Sequence, residues 1–297
     1  MALKSVFNAM KRDGYIVKDL DLYLLSLNGT DNDRAIDVNA PSQIGKCLRQ
    51  RFYARTGAES DSNAVDARTR RIFDNGTKTH ERLQEYLKSQ GMLLMDEVPV
   101  HNAEYNIQGH TDGILKIGRS EKAVLEIKSI NSNGFSKLKE AKEEHKKQGL
   151  VYVYCLEQRR KFIRELYDSV DDLKANKAKL MKSYAKLYQH LKDGSKYTRE
   201  EKIQFQCDLH FQMDCILVET EVPIRKAIFL YENKDTQELK EFCISLSSDE
   251  ATKILESVLS DCAFVNKAVE TGVVPDRPFT KSSMECRFCP YSIECFN

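Results

Sequence analysis

The chain has 297 residues, 41% of them hydrophobic, which is ample for one large core or two small ones. Its 46 Lys and Arg nearly balance its 45 Asp and Glu. A basic overall charge therefore does not announce a polyanion binder, and any phosphate-binding surface has to come from local clustering. The longest apolar run, LVYVYCL at 150–156, falls far short of the roughly 20 residues that span a bilayer.

Residues 1–40 are polar and mixed, with Asn, Asp and Gly signals at 28–33, and predict a short helix plus a loop. The segment SQIGKCLRQRFYARTG then offers Ser42 as an N-cap and Gly57 as a stop, with Ile44, Cys47, Leu48 and Phe52 on one helical face. A small, polar loop over 58–66 leads into a helical pattern from Ala67 to Gln90, closed by Gly91 and open to a break at Asn75 and Gly76. Alternating segments near 93–101, 105–117 and 122–130, separated by turn signals at Asn102 and at Gly118, Arg119 and Ser120, predict an antiparallel meander. A helix at about 136–157 follows, then a Lys-rich helical region ending near Gly194. Apolar segments at 203–218, a strand at 226–234 and a last helix at roughly 248–270 precede a cysteine-containing tail. The mixture is α/β, a central mixed sheet flanked by helices.

Chemistry concentrates in the meander. In VLEIKSI, two-residue alternation sends Glu126 and Lys128 to one face and Leu125 and Ile127 to the other. A carboxylate and an ammonium on a mostly buried strand are costly unless a metal or substrate uses them. Asp112 lies 14 residues earlier on the paired strand, with Gly113 allowing close backbone approach. Two carboxylates meeting across a hairpin make an oxygen-rich site suited to Mg²⁺ or Mn²⁺. The same triplet would also suit a surface hairpin in which Glu126 and Lys128 pair with each other.

Two neighbouring helices bear on that choice. In NGTKTHERLQEYL, His80 shares a stripe with Leu83 and Leu87, which turns its imidazole toward the sheet. In HKKQGLVYVYCL, Gln148 and Tyr152 are four apart and share a helix face. A second acidic-x-Lys pair, Glu232 and Lys234, lacks an Asp on a hairpin partner and predicts a neighbouring strand of the same sheet. Gln212 competes with Gln148, but the fourth residue after it is Ile216, not a tyrosine.

This order of His helix, Asp strand, Glu-x-Lys strand and Gln/Tyr helix resembles the PD-(D/E)XK nuclease superfamily, most of all its RecB-like branch. The resemblance covers roughly residues 42–155 and 225–297. It implies a restriction-endonuclease-like core in a single RecB-like domain, with 157–202 as a helical insertion. It also implies that His80, Asp112, Glu126 and the Ile127 carbonyl ligate Mg²⁺ or Mn²⁺, that Lys128 is catalytic, and that Gln148 and Tyr152 support the site and the DNA.

Nine cysteines without a signal-peptide pattern predict reduced thiols in a cytoplasm-like compartment, where clustered cysteines bind metal more often than they pair. Cys286, Cys289 and Cys295 are spaced so that a short loop can aim all three at one centre, and Cys47 is the best fourth. Spacing alone does not choose between tetrahedral Zn²⁺ and a 4Fe–4S cluster. RecB-like nucleases that carry a cluster, among them AddB, exonuclease V and CRISPR-associated relatives, pair one N-terminal cysteine with such a triplet. That resemblance implies an iron–sulfur clasp. The remaining cysteines sit in apolar segments and predict core positions.

The expectation is a metal-dependent DNA exonuclease acting on ends or single strands, with helicase or recombination proteins as candidate partners. A nucleic-acid-binding or assembly subunit with little cleavage is the alternative. Arg49, Arg51 and Arg55 are candidate backbone contacts, as is the Lys-rich insertion, which a solvated helical face explains equally well.

Overall fold

The computed structural model describes residues 15–27, 36–60, 65–118, 120–191, 197–219 and 222–297. Helix α1 (Tyr15–Ser26), a 3₁₀ turn at Pro41–Gln43, α2 (Leu48–Arg55) and α3 (Ala67–Ser89) lead into strands β1 (Leu93–Asn102), β2 (Ile107–Ile117) and β3 (Glu121–Ile130). Next come α4 (Ser132–Lys137), α5 (Glu143–Leu166), α6 (Val170–Ala175), α7 (Lys177–Leu187) and α8 (Arg199–Glu219). Strands β4 (Lys226–Asn233) and β5 (Leu239–Ser245), helix α9 (Asp249–Thr271) and the short α10 (Met284–Arg287) and α11 (Ser292–Phe296) complete the order. The strands form one sheet in chain order; β3 and β4 are parallel and every other pair is antiparallel. A parallel step needs a crossover, and α4 to α8 supply it.

Strand alternation gives the sheet two apolar faces, and each is covered by helix. Ile114, Val124, Ala227 and Phe229 pack with Leu150 and Val151 of α5, Met213 and Leu217 of α8 and Val258 of α9. On the other face Leu93, Leu115, Leu125 and Ile127 pack with Leu83 of α3. The fold is α/β, a mixed five-stranded sheet between helical layers. Among the described residues no helix is long and apolar enough to cross a membrane.

Helix α5 approaches β4 at a point where only a glycine fits. A Cβ placed on Gly149 would lie 2.7 Å from Cζ of Phe229 and 3.0 Å from the Ala227 Cβ. Gly149→Ala should therefore cost about 1–3 kcal/mol through overpacking, although Ala is the better helix former. The urea midpoint should fall; a variant as stable as the parent would show that α5 rides loosely on β4.

Several elements differ from the sequence expectation for identifiable reasons. Ser42 does not cap a helix: Ile44 N–H bonds to Pro41 O at 3.2 Å and Lys46 N–H to Gln43 O at 2.9 Å, both turns, and α2 begins after Cys47, its N-cap residue. Burial of Ile44 in the main core holds that segment off the helix axis. Helix α3 runs unbroken through Asn75 and Gly76. Its Asp66 cap accepts the Thr69 N–H at 2.7 Å, and Arg71 bonds Asp21 of α1 at 2.5 Å.

The helix predicted at 136–157 starts only at Glu143 and runs to Leu166, after a short α4 whose end at Lys137 is marked by Lys240 Nζ of β5 donating to the carbonyls of Phe135 and Leu138 at 2.7 and 3.2 Å. Strand β5 itself has no counterpart in the sequence reading. The helices over 157–202, expected as an insertion, pack directly on the helix that follows. Ile163, Leu173, Leu180 and Tyr184 share a cluster with Cys207, Phe211 and Val218 of α8. Arg159 grips the fully buried Asp214 through two bonds of 2.9 and 2.6 Å. The loop signals at 28–33 and the stop at Gly194 lie outside the described residues.

Candidate active site

Strands β2 and β3 pair from Ile117↔Glu121 only as far as Gly113↔Leu125. Beyond that point β2 continues beside β1 and β3 beside β4, so a seam opens in the sheet. Strand backbone left without a ladder partner has to be satisfied in another way. Side chains do so here: Thr111 Oγ1 donates to Leu125 O at 2.8 Å, and the Ile127 N–H donates to Asp112 Oδ2 at 2.5 Å. In an extended strand the N–H and C=O of one residue share an edge, so the Ile127 carbonyl faces the same seam.

Alternation sets Asp112 beside Ile114, and Glu126 beside Val124, toward the α5 layer. His80 comes from α3, on the opposite face, and reaches Asp112 through the seam, its Nδ1 3.2 Å from Oδ1. Four residues on, Gln84 Nε2 donates to the Asp112 carbonyl at 2.8 Å. Gly113 is needed for tight spacing, since a Cβ there would sit 2.7 Å from the Met95 carbonyl of β1. Lys128 Nζ donates to Glu126 Oε1. From α5, Gln148 Nε2 donates to the Tyr152 hydroxyl at 3.0 Å, and both are buried.

The electrostatics centre on one carboxyl kept from water beside partly exposed His80, Asp112 and Lys128. Glu126 is 2% exposed. Burial, then the charge of Asp112, raises its carboxyl to about 7, against the downward pull of Lys128. Burial lowers the His80 pKa, but the hydrogen bond and charge of Asp112 outweigh it and the net shift is upward. The Tyr152 phenol is pushed well above its ordinary value by burial and by Glu126, so it stays protonated. His145 backs the site, its Nδ1 2.6 Å from the Tyr231 hydroxyl; burial and then Lys128 lower its pKa to about 4.

Stability should follow from the Glu126 shift. The folded carboxyl titrates near 7 and the unfolded one near 4.5, so between these values the folded state holds more protons. Stability then falls as pH rises from about 4.5 to 7 and stays lower above. Glu126→Gln removes the penalty and should raise stability at pH 8 by on the order of 1–3 kcal/mol, with little change at pH 4. Thermal melts of both proteins across this range check it; identical pH profiles would mean Glu126 is not strained.

A cavity of about 570 Å³ opens onto the seam, lined by Arg68, Phe73, Gly76, His80, Lys128 and Lys234 among others. Lys234 belongs to the second acidic-x-Lys pair, of which Glu232 sits on the neighbouring strand β4 and Lys234 in the turn just beyond its end. Glu232 is buried there and accepts from Arg82 Nη2 at 2.5 Å. Gln212 is exposed on α8, so Gln148 alone of the two glutamines reaches the site region. Sequence reading missed Thr111, Gln84 and Arg68. Gln84 was findable as the next residue of the His80 stripe; Thr111 acquires its role only from the parting of two strands.

Cys47, Cys286, Cys289 and Cys295 line one pocket with Tyr53 and Tyr291. The Cys289 thiol is pushed up by burial, and the other three cysteines add to the rise. Phe52, Tyr53 and Ala268 form a small core against which Tyr291 and Cys295 pack, so the chain's tail closes over α2 and α9. None of the nine cysteines is in a disulfide. Cys155, Cys207 and Cys262 are buried as expected, whereas Cys215 is half-buried and Cys243 is exposed on β5.

The arginines near this pocket correct a sequence expectation. Arg51 is 3% exposed and donates to Asn39 Oδ1 at 2.9 Å and to Cys262 Sγ at 3.1 Å. Arg55 donates to Asn266 Oδ1 at 2.6 Å and to Asp37 O at 2.9 Å. Arg49 donates to the Pro275 carbonyl at 2.7 Å and stacks over Tyr53. Arg51 and Arg55 are thus committed to joining α2, α9 and the 37–39 segment, and do not face a nucleic-acid backbone.

Among the described residues no three His, Cys, Asp or Glu side chains stand arranged to hold a metal ion. At the seam, Lys128 and the Ile127 N–H each engage a carboxylate oxygen. The donor chemistry suits a hard divalent cation there, with two carboxylates, one imidazole and a carbonyl-bearing edge. At the tail, four thiols around one pocket suit zinc or an iron–sulfur cluster.

No family model matches the chain, and no curated protein matches it. Among solved structures it is similar to the crystal structure of SSO0001, with 16% identity, 95% of this chain and 96% of that chain covered, and a TM-score of 0.45.

Proposed function

We propose that the chain is a metal-dependent deoxyribonuclease of the PD-(D/E)XK, RecB-like type, hydrolysing phosphodiester bonds at DNA ends or in single strands. The observation that carries this reading is the meeting of Asp112, Glu126, Lys128 and His80 at the β2–β3 seam, with a water-excluded carboxyl at its centre. His80, Asp112, Glu126 and the Ile127 carbonyl would hold Mg²⁺ or Mn²⁺. Such a cation supplies Lewis-acid chemistry at a phosphodiester.

The chain's own residues account for the rest. The Lys128 ammonium offers a donor for charge that develops on the phosphate oxygens. Gln84 and the Ile127 N–H fix the Asp112 backbone and carboxylate, so the acidic pair is preorganised. Tyr152, kept protonated, can donate a hydrogen bond beside Glu126, and Gln148 orients it. Arg68 and Lys234 in the cleft offer charge to a nucleic-acid backbone. Cys47, Cys286, Cys289 and Cys295 would hold a 4Fe–4S cluster, with Zn²⁺ as the alternative, and tie the tail to α2.

The test is digestion of end-labelled single- and double-stranded DNA by purified protein with Mg²⁺, with Mn²⁺ and with EDTA. Cleavage that EDTA abolishes supports the reading. Intact DNA under both cations would sink it.

A further inference from the structure

On α3 one stripe carries Phe73, then Gly76 and Thr77, then His80, then Gln84, at spacings that share a helix face. Its far end is committed to the site, since His80 and Gln84 both contact Asp112. Phe73 precedes His80 by seven residues, about 10 Å along the axis, which is the reach of about three stacked nucleotides. The ring is 59% exposed, its neighbour Ile72 is 41% exposed, and both line the cleft.

Between Phe73 and His80 the helix surface lacks a side chain at Gly76, with the small, exposed Thr77 beside it. A Cβ on Gly76 would meet no atom within 4 Å, so packing does not explain a glycine in mid-helix, where Ala would be the better former. Removing that side chain leaves room on the cleft wall. Arg68, Arg71 and Lys234 line the same cleft, and Arg71 also bonds Asp21. An exposed ring beside cationic groups is the combination that takes unpaired bases, whose faces are free, whereas a duplex hides them in its stack.

Resting on the nuclease reading above, we propose that Phe73 and the turn at Gly76 form a base-stacking platform. It selects unpaired nucleotides and sets a strand end against the Asp112–Glu126 seam.

Fluorescence anisotropy in EDTA, with the full chain and labelled DNA, tests it independently of cleavage. The parent protein should bind a single-stranded oligonucleotide at least tenfold more tightly than a blunt duplex of equal length. Phe73→Ala should lose about tenfold for the single strand and most of the preference; Phe73→Trp should keep both. One abasic nucleotide within three of the end should weaken the parent but add nothing to the Phe73→Ala loss. Gly76→Ala should melt higher than the parent and yet bind the single strand less well. If Phe73→Ala fails to fold, the Trp variant and the abasic series carry the test. Single-strand affinity that is indifferent to Phe73, to Gly76 and to the abasic position overturns the platform, even where cleavage is normal. Platform-dependent binding by a parent protein that cuts no DNA would instead overturn the nuclease reading and leave the platform standing.

Discussion

Replacing Asp112 by asparagine should lower DNA cleavage at least about 10³-fold, equivalent to roughly 4 kcal/mol of barrier, while leaving the fold nearly untouched. The choice of asparagine follows from the seam. Asp112 Oδ2 accepts the Ile127 N–H, and the amide oxygen of asparagine can keep that bond. Alanine would orphan a strand N–H and add about 1–3 kcal/mol of destabilisation to the chemical defect. Cleavage rates and thermal melts on Asp112→Asn, Asp112→Ala and the parent separate the two effects. An asparagine variant that cuts at the parent's rate would remove Asp112 from the chemistry.

A comparable loss, of stability this time, is expected at the tail. On the proposed reading, Cys47→Ser, or the same change at Cys286, Cys289 or Cys295, should lose the group that the four thiols would hold and lower stability by several kcal/mol. A crosslink closing a loop of this length removes about 4 kcal/mol or more of unfolded-state entropy, and burial of Tyr291 and Cys295 against α2 adds to it. Iron content, the visible spectrum of anaerobically purified protein, and melting temperature are the readouts. Cys243→Ser, on exposed β5, serves as the control and should retain full iron. Stoichiometric zinc without iron would change the identity of the group, and full iron in Cys47→Ser would change its ligands.

The meander, the Asp112/Glu126/Lys128 set and the Gln148/Tyr152 pair were legible because each rests on local periodicity. A two-residue or four-residue repeat survives without knowledge of neighbours. Features decided by tertiary contact were not legible. The 42–46 segment has good capping chemistry, yet burial of Ile44 draws it out of the helix. The end of helix α4 is marked by Lys240, about a hundred residues away, which bonds the carbonyls of Phe135 and Leu138. The arginine triplet beside Cys47 was open to a nucleic-acid reading because side-chain burial has no signature in the sequence. Only the fold shows Arg51 and Arg55 turned inward to Asn39 and Asn266.

The clasp also bears on the order in which the molecule can be built. The β1–β3 meander and α3 are contiguous in sequence and can assemble while later segments are still being synthesised. The pocket around Cys47 cannot, because its partners lie roughly 250 residues further on. Helix α2 therefore emerges early and waits, with Tyr53 uncovered, until Tyr291 and Cys295 arrive to bury it. In that interval the chain carries the β2–β3 seam without its tail contacts, and any group that the four thiols would hold can be bound only after Cys286, Cys289 and Cys295 have joined Cys47.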